Sequence, residues 1–339
     1  MHGLDLPLPG IFMSAPPVLS RTNPIPRPSA AGDISRYMRR HRDEIEFLHV
    51  HNLRTAVSSL WLLLAHLLQK GHSFNVILTD HNARFFPFPR VTARWVDYFA
   101  PVSLHSQIQL QGWASRPSRV VPTAVSPPFV NQPEPPSFES RTIDLLHVGR
   151  IVPWKRPDRV VNLSLKLANL LGRPVRAVIA GSVQDPTYLE FIRNRVRLLG
   201  LERKVTIVTS PRDDELIQLY RSARLYTLLS ARRDTFGRSA GNGELAPITI
   251  LEAASAGTPA IVCAIPALLD QIQAERTGVF VDEFDDVAAS RTVADILTDP
   301  IRWRKLSQGA RNHVLRERTY PAIAKRFHDY LNDIRSGTA

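Results

Sequence analysis

The stretch IDLLHVGRIVPWKRPDRVVNLSLKLANLL, residues 143–171, decides the fold class. It begins with an apolar, β-branched run that ends at Gly149, continues through a basic turn, and closes with an amphipathic pattern that predicts a helix over Asp158–Leu171. A strand, a turn and a helix in this order form the first part of a βαβ unit. Because such a crossover returns the chain in the same direction, the stretch predicts a parallel sheet.

The same alternation continues to the end of the chain. Further strands are predicted at VRAVIAG (175–181), KVTIVTS (204–210), RLYTLLS (224–230), PAIVCA (259–264) and GVFVDE (278–283). Helices are predicted at Tyr188–Leu199, Asp213–Ala223, Pro247–Ala256, between the last two strands, and at 287–297, 301–317 and 320–334. Strands that alternate with helices of this length predict an α/β fold with a doubly wound parallel sheet.

The residues before position 127 show a similar but shorter pattern. Strands are predicted at FLHVHN, NVILTDH, PVSL and RVVPTAV, with helices at Thr55–Lys70 and near Arg90–Phe99. A Rossmann-like domain usually has six strands, so this domain is expected to be incomplete. The predicted organisation is a proline-rich arm (1–31), an incomplete N-terminal Rossmann-like domain (32–126), a proline-rich linker (127–140), a second Rossmann-like domain (141–318) and a C-terminal helix (319–339) that could return to the first domain.

The composition narrows the functional class. The chain has 339 residues and a net charge of +12, which favours an anionic partner. Arginine is spread along the chain and no zinc-finger or RNA-binding signature is found, so nucleic acid is not expected. The longest uncharged apolar run, Leu60–Leu68, is too short for a membrane span.

The sole cysteine, Cys263, and an N-terminus without a secretory signal pattern favour the cytoplasm. The basic segment Ile34–Arg42 leaves open a peripheral contact with an anionic membrane at the inner face. The alternative for that segment is a solvated basic helix face.

The loop around Ser239 raises the question of a serine nucleophile. Gly237–Gly241 fits the G-x-S-x-G elbow of α/β-hydrolases, whose serine must stand between a strand and a helix. Here a charged segment precedes the motif and the turn-forming pair Asn242-Gly243 follows it. A serine hydrolase therefore remains only a remote alternative, and a loop is the favoured interpretation.

Two glutamates beside that loop are better placed for a ligand. Glu244 precedes a helix that Pro247 can start and Gly257 can end, and Glu252 lies within the helix. A helix start at the carboxyl edge of a parallel sheet suits anionic ligands, so hydroxyls of ribose or sugar rings are the sensible partners for the glutamates. The alternative for Glu252 is a surface helix position.

The basic turn after Gly149 suits a diphosphate. Arg150, Lys155 and Arg156 follow the end of a strand and can neutralise such a group. The chain has no D-x-D pair, Walker loop or G-x-G-x-x-G motif, so we expect no metal and no bound cofactor.

Together these segments resemble the retaining GT-B glycosyltransferases of glycosyltransferase family 4. The resemblance covers about the last two hundred residues and rests on Gly149-Arg150 with Lys155, IAG at 179–181, ELIQLYRSA at 215–223, the Glu244 and Glu252 pair, EAASAGTPAIV from Glu252, and TGVFVD from Thr277. It implies two Rossmann-like domains that face a cleft, with the acceptor on the side of the N-terminal domain and the donor on the side of the C-terminal domain.

The resemblance also implies roles for matching residues. Arg150 and Lys155 would bind the diphosphate of a nucleotide-sugar donor, Glu244 the donor sugar, and Glu252 the ribose hydroxyls. Gly149, Gly181, Leu245 and Ala246 complete the expected donor site. His81, at the end of LTDHN, would contact the sugar and assist catalysis together with Glu244. The segment His49–Asn52 is similar to the family's preceding strand, with buried structural histidines as an equal interpretation.

The implied reaction is the transfer of a hexosyl group from a nucleoside diphosphate sugar to a hydroxyl of a sugar, lipid-linked or small-molecule acceptor, with retention of configuration. The family's first strand and glycine-rich loop are not found before FLHVHN. This leaves open an alternative in which the protein binds a nucleotide sugar or a partner without turnover.

Overall fold

The computed structural model describes residues 45–51, 74–81, 93–241 and 244–339. The predicted proline-rich arm, the basic segment Ile34–Arg42 and the helix predicted over Thr55–Lys70 lie outside the described residues. The described residues divide into two units: 45–51, 74–80, 93–100 and 110–118 form the first, and the remainder forms the second.

The first unit contains a three-stranded parallel sheet. Its strands are β1 (Phe47–His51), β2 (Asn75–Thr79) and β3 (Tyr98–Phe99), paired in the order β1-β2-β3. The central strand is the most buried, with Ile77 fully inaccessible. His49 pairs with Thr79 at 2.8 Å, and the Thr79 hydroxyl donates to the Ala100 carbonyl, which supports the structural interpretation of His49.

Two strand predictions in this part of the chain are wrong. PVSL leads into helix α1 (Leu104–Trp113), because the Ser103 hydroxyl accepts from the Ser106 amide at 3.1 Å and caps the helix. RVVPTAV contains Pro122, which cannot donate to a ladder, and the Val125 amide donates to the Arg318 carbonyl instead of to a strand. The helix predicted near Arg90–Phe99 is described only from residue 93, where a 3-10 turn, Ala93–Trp95, is followed by β3.

The second unit contains a six-stranded parallel sheet. Its strands are β4 (Ile143–Val148), β5 (Ala177–Gly181), β6 (Val205–Thr209), β7 (Ala223–Leu228), β8 (Ala260–Cys263) and β9 (Gly278–Val281). They pair in the order β6-β5-β4-β7-β8-β9. This is the doubly wound order of a Rossmann sheet, in which the direction of winding reverses between the first and fourth strands, here β4 and β7.

Helices cover this sheet as the alternation predicts. They are α2 (Pro127–Val130), α3 (Pro157–Leu171), α4 (Pro186–Leu198), α5 (Asp213–Ser222), α6 (Ile248–Ser255), α7 (Asp286–Thr298), α8 (Pro300–Glu317) and α9 (Tyr320–Ser336). The helix predicted between β8 and β9 is wrong: within the described residues that segment forms a single 3-10 turn, Pro266–Leu268.

The proline-rich segment 127–140 belongs to the second unit and packs within it. Phe129 is 5% exposed and its ring contacts Tyr220, and Pro135 lies close to Gly257. In the same unit, Asp333 of α9 forms an ion pair of 2.5 Å with Arg119. Of the helices in the described ranges, none is both long and apolar enough to cross a membrane.

Candidate active site

The strands β4 and β7 bring two predicted ligand-binding segments together. The turn that contains Lys155 follows β4, and the loop that contains Glu244 follows β7. In open parallel sheets, ligands bind outside the carboxyl ends of the strands where the winding reverses. Both segments leave neighbouring strands at this point of the sheet, which makes it the candidate site.

Lys155 is turned inward by its local backbone. It ends the 3-10 turn Pro153–Lys155, and the next residue, Arg156, has φ of 54° and reverses the chain into α3. The left-handed conformation of Arg156 costs roughly 1–2 kcal/mol for a residue other than glycine, and its guanidinium is held by Asp158 at 3.1 Å. Lys155 is 6% exposed, and its Nζ donates to Glu244 Oε1 at 2.6 Å.

Glu244 has one occupied and one open carboxylate oxygen. Its Oε1 accepts from Lys155 and from the Ser230 hydroxyl, the latter at 2.8 Å. Its Oε2 has no partner among the described residues. A carboxylate oxygen without a partner in the protein can accept a hydrogen bond from a ligand hydroxyl. Leu245, which follows, is buried, and Ala246 is half-buried at the approach to α6.

Glu252 lies in α6 with a similar arrangement. Its Oε2 accepts from the Tyr220 hydroxyl at 2.8 Å, and the other oxygen has no partner in the part of the chain that the structure describes. Burial raises the pKa of the Glu252 carboxyl above its ordinary value, although the hydrogen bond from Tyr220 opposes this shift. The alternative of a surface helix position is disfavoured, because Glu252 is half-buried and its carboxylate is held by the Tyr220 hydroxyl.

Two glycines let β4 and β5 end close together. Gly181 has φ of 152°, and a Cβ on it would lie 1.7 Å from the Gly149 carbonyl oxygen. A Cβ on Gly149 would lie 3.1 Å from Lys155 Cδ. Side chains at either position would therefore displace the backbone or the lysine. Arg150, next in the chain, is exposed, and its Nη1 lies 3.4 Å from Gln184 Oε1.

A cleft of about 230 Å³ opens at Glu244. Its lining includes Trp154, Ser230, Ser239, Pro266 and His105. The sequence interpretation missed His105, which lies in the first turn of α1. The pKa of His105 is lowered by burial and raised in part by Asp270, whose carboxylate accepts from the Leu104 amide. Ser103, which caps α1, is the local signal in the sequence that could have indicated this helix start.

His81 is placed differently from the other predicted site residues. It lies two residues beyond β2 and is exposed. Among the described residues that line the cleft with Glu244, the histidine is His105 rather than His81. The predicted contact of His81 with a sugar stays a prediction.

The Ser239 loop does not form a nucleophile elbow. Ser239 forms an isolated antiparallel bridge with Arg233, and its hydroxyl accepts from the Gly241 amide at 3.3 Å. Asp234 organises this loop by accepting from the Phe236 and Arg238 amides and from the Arg238 guanidinium. The strand-turn-helix context that a serine nucleophile requires is absent from these described residues.

His147 is a buried histidine below the site. Its Nδ1 lies 3.1 Å from the Thr227 carbonyl oxygen, so Nδ1 carries the proton, and Nε2 has no partner among the described residues. Burial and the nearby Lys155 lower its pKa to about 3. No cluster of histidine, cysteine and carboxylate side chains that could hold a metal occurs in the described ranges.

Comparison with known proteins gives the family. The model of the family described as glycosyl transferases group 1 matches residues 131–313, more than half of the chain. The chain belongs to this family. The predicted resemblance is therefore confirmed, and the matched range includes the Lys155 turn, Glu244 and Glu252.

Curated relatives match the same part of the chain. A D-inositol 3-phosphate glycosyltransferase of Salinispora tropica is 30% identical over 174 residues, which are 49% of this chain and 33% of that protein. A mannosylfructose-phosphate synthase of Agrobacterium fabrum is 35% identical over 102 residues, 30% of this chain and 20% of that protein. The match to the first of these relatives thus spans about a third of its length.

Solved structures share the fold. A glycosyltransferase from Rickettsia africae has a TM-score of 0.69 and 17% identity, and the similarity covers 93% of this chain and 83% of that one. Anabaena HepE in complex with UDP and glucose has a TM-score of 0.65 and 14% identity, covering 90% and 82%. The predicted fold class, α/β of the GT-B type with Rossmann-like parallel sheets, is confirmed.

Proposed function

We propose that this chain transfers a hexosyl group from a nucleoside diphosphate sugar to an acceptor hydroxyl, with retention of anomeric configuration. The observation that carries the proposal is the ion pair of Lys155 and Glu244 at the point where the strand order reverses. It places a buried cation beside a carboxylate whose second oxygen is open. Family membership and the bound UDP and glucose in the fold relative HepE support the choice of donor.

The two cations at the end of β4 suit the leaving diphosphate. As the bond between the sugar and the diphosphate breaks, negative charge grows on the phosphate oxygens, and cations already in place stabilise it. Lys155 has three N–H donors and can keep Glu244 while it meets a phosphate, and Arg150 is exposed beside it. Gly149 and Gly181 leave room for the phosphates to approach the backbone. We propose that these groups make a metal ion unnecessary.

The carboxylates suit the hydroxyls of the donor. Glu244 Oε2 would accept from a sugar hydroxyl, Glu252 would accept from the ribose through its open oxygen, and Leu245 and Ala246 would shape the loop between them. His81 is proposed to contact the sugar from the family resemblance. Catalysis would rest on orientation and electrostatics, since the two carboxylates are already held by Lys155, Ser230 and Tyr220.

A donor panel tests the proposal directly. The full chain is incubated with UDP- and GDP-hexoses and with D-inositol 3-phosphate or simple sugars as acceptors, with and without EDTA, and the anomeric configuration of the product is read by NMR. We expect transfer that EDTA does not reduce, a loss of about 100-fold in Lys155→Ala, and a higher donor KM in Glu252→Ala. Lys325→Ala, which removes an exposed ion pair in α9, is the matched control and is expected to behave as the parent protein.

Each negative result has a distinct meaning. If neither variant changes donor binding or hydrolysis, the site assignment is wrong. If donors bind but no acceptor and no water is used, the binding protein without turnover is favoured. An inverted product would remove the retaining mechanism while leaving the transfer.

The cellular location is a separate proposal. We propose a cytoplasmic protein, with the basic segment Ile34–Arg42 as the element that would contact an anionic membrane. Sedimentation with vesicles that contain or lack anionic lipid tests it. Pelleting that is the same with both kinds of vesicle would contradict the contact.

A further inference from the structure

Trp154 lies between the two cations of the proposed diphosphate site. Its ring centroid is 5.1 Å from Arg150 Cζ and 4.9 Å from Lys155 Nζ. Both distances fall within the range of cation–π attraction, for which tryptophan is the most effective side chain. Trp154 also lines the cleft that contains Glu244. One ring therefore contacts both cations at the site.

Arg150 depends on this ring more than Lys155 does. Lys155 is held by the buried Glu244 carboxylate. Arg150 has no carboxylate partner among the described residues, and its hydrogen bond to Gln184 is long, at 3.4 Å. An exposed arginine with one weak hydrogen bond samples many rotamers unless another contact restrains it. The Trp154 ring is the contact that supplies this restraint.

The backbone of the turn that carries Trp154 is held by the loop that follows β7. The Trp154 carbonyl accepts from the Ala231 amide at 3.4 Å. The preceding carbonyl, of Pro153, accepts from the Thr235 amide at 3.3 Å and from the Thr235 hydroxyl at 3.1 Å. These bonds fix the backbone of the turn, from which the Trp154 ring and the Lys155 side chain both extend. The loop that carries the G-x-S-x-G pattern thus acts as a support for the turn.

We propose that Trp154 is a positioning residue that sets the separation and direction of Arg150 and Lys155 so that both meet one diphosphate. The inference rests on the proposed function and names a residue that the family resemblance did not. Without the ring, the exposed Arg150 would lose the contact that restrains it, and its repulsion from Lys155 would no longer be offset by cation–π attraction. The predicted consequence is weaker binding of the diphosphate itself, before any sugar is involved.

Calorimetric titration with inorganic pyrophosphate and with UDP tests this. We expect Trp154→Leu to lower the affinity for both ligands about tenfold. Trp154→Phe keeps an aromatic face and should lower these affinities about threefold or less. Phe138→Leu is the matched control, because it removes a comparable contact of an arginine, Arg224, with a ring that lies outside the cleft and outside the loop that follows β7. That variant is expected to bind as the parent protein does. Thermal melting of each variant separates loss of binding from loss of folding.

A double-mutant cycle gives the sharper readout. Arg150→Met is expected to lower the affinity for pyrophosphate more in the parent protein than in the Trp154→Leu background. In that background the arginine has already lost the contact that positions it. Equal effects in the two backgrounds would overturn the inference. So would a Trp154→Leu protein that loses affinity only for a nucleotide sugar, since the ring would then stack on the sugar.

The outcomes also separate this inference from the proposed function. Coupled losses of pyrophosphate affinity without any sugar transfer would support the role of Trp154 and count against the transferase. Sugar transfer together with equal effects of Arg150→Met in the two backgrounds would support the transferase and count against the role of Trp154. A parent protein that binds neither pyrophosphate nor UDP would overturn both.

Discussion

Glu244 and Glu252 hold their carboxylates in the same manner: one oxygen accepts from a buried protein donor, and the other has no partner among the described residues. The donors are Lys155 and Ser230 for Glu244 and Tyr220 for Glu252, which are 6%, 1% and 1% exposed. Each carboxylate is therefore oriented by the protein while it keeps an acceptor for a ligand. A ligand binds more weakly when side chains must become ordered to contact it, and these two carboxylates are already ordered.

The Lys155–Glu244 pair should be a strongly coupled element of the fold. Lys155→Met leaves a buried carboxylate with only the Ser230 hydroxyl as a donor, and we expect a loss of about 3 kcal/mol in the free energy of unfolding. The double variant with Glu244→Gln should recover most of this loss, because no charge is then left buried. Urea unfolding of the single and double variants measures the difference.

The control for this cycle is Lys325→Met. It is the same lysine-to-methionine change, but it removes an exposed i,i+4 ion pair with Asp329. It should leave the unfolding midpoint unchanged. Equal losses in the single and double variants at positions 155 and 244 would contradict the expected coupling.

Glu252 should make stability depend on pH with a defined sign. Burial raises the pKa of its carboxyl in the folded state above the ordinary 4.5, so the folded state binds this proton more readily than the unfolded state. The contribution is therefore present at low pH and is lost as pH rises through the folded-state pKa. Glu252→Gln should gain stability relative to the parent protein above that pKa, with the difference vanishing below about pH 4.

Urea unfolding of both proteins across this pH range measures the effect. Tyr220→Phe provides the second variant, because the Tyr220 hydrogen bond lowers the Glu252 pKa. Its removal should extend the loss of stability to higher pH. A difference between Glu252→Gln and the parent that is independent of pH would contradict this account.

The two glycines at the ends of β4 and β5 should respond differently to alanine. In Gly181→Ala the new Cβ would meet the Gly149 carbonyl oxygen at 1.7 Å, so backbone must shift and the second unit should be strongly destabilised. In Gly149→Ala the Cβ meets a flexible lysine chain at 3.1 Å, so the protein should stay folded while Lys155 moves. We expect a large drop in melting temperature for the first variant and mainly weaker UDP binding for the second.

Gly172→Ala is the control for these variants. Gly172 also has positive φ, 61°, but no atom lies within 4 Å of a Cβ built there, so only the conformational cost of roughly 1–2 kcal/mol applies. A Gly181→Ala protein that melts no lower than Gly172→Ala would contradict the close approach of the two strand ends.

Local patterns were sufficient for the six strands of the larger sheet and for most of the helices that cover it. The alternation of buried strands with amphipathic helices has a period that is visible in short windows, and Glu244 and Glu252 are tied to one helix start. Before residue 127 the pattern is shorter, and of its four predicted strands only the first two are present in the described residues. Strand β3 has two residues, and the predicted strands beside it contain Pro101 and Pro122.

Contacts between distant residues could not be predicted in this way. Lys155 and Glu244 are separated by 89 positions, and nothing in either segment indicates that the lysine donates a hydrogen bond to the glutamate. His105 belongs to a helix with no motif, and its place in the cleft depends on how α1 begins beside Asp270. The sequence indicates only that Trp154 lies in a turn, whereas the structure shows that its ring contacts both Arg150 and Lys155.

Ser239 should not behave as a nucleophile, even though it lines the same cleft as His105. Its hydroxyl is engaged with the Gly241 amide at 3.3 Å, and burial lowers the pKa of His105, which weakens that residue as a base. Treatment with a fluorophosphonate probe should therefore leave the protein unmodified by mass spectrometry, under conditions that fully label a known serine hydrolase. An adduct that maps to Ser239 and disappears in Ser239→Ala would restore the hydrolase alternative, whereas an adduct that persists in that variant would be unrelated to the motif.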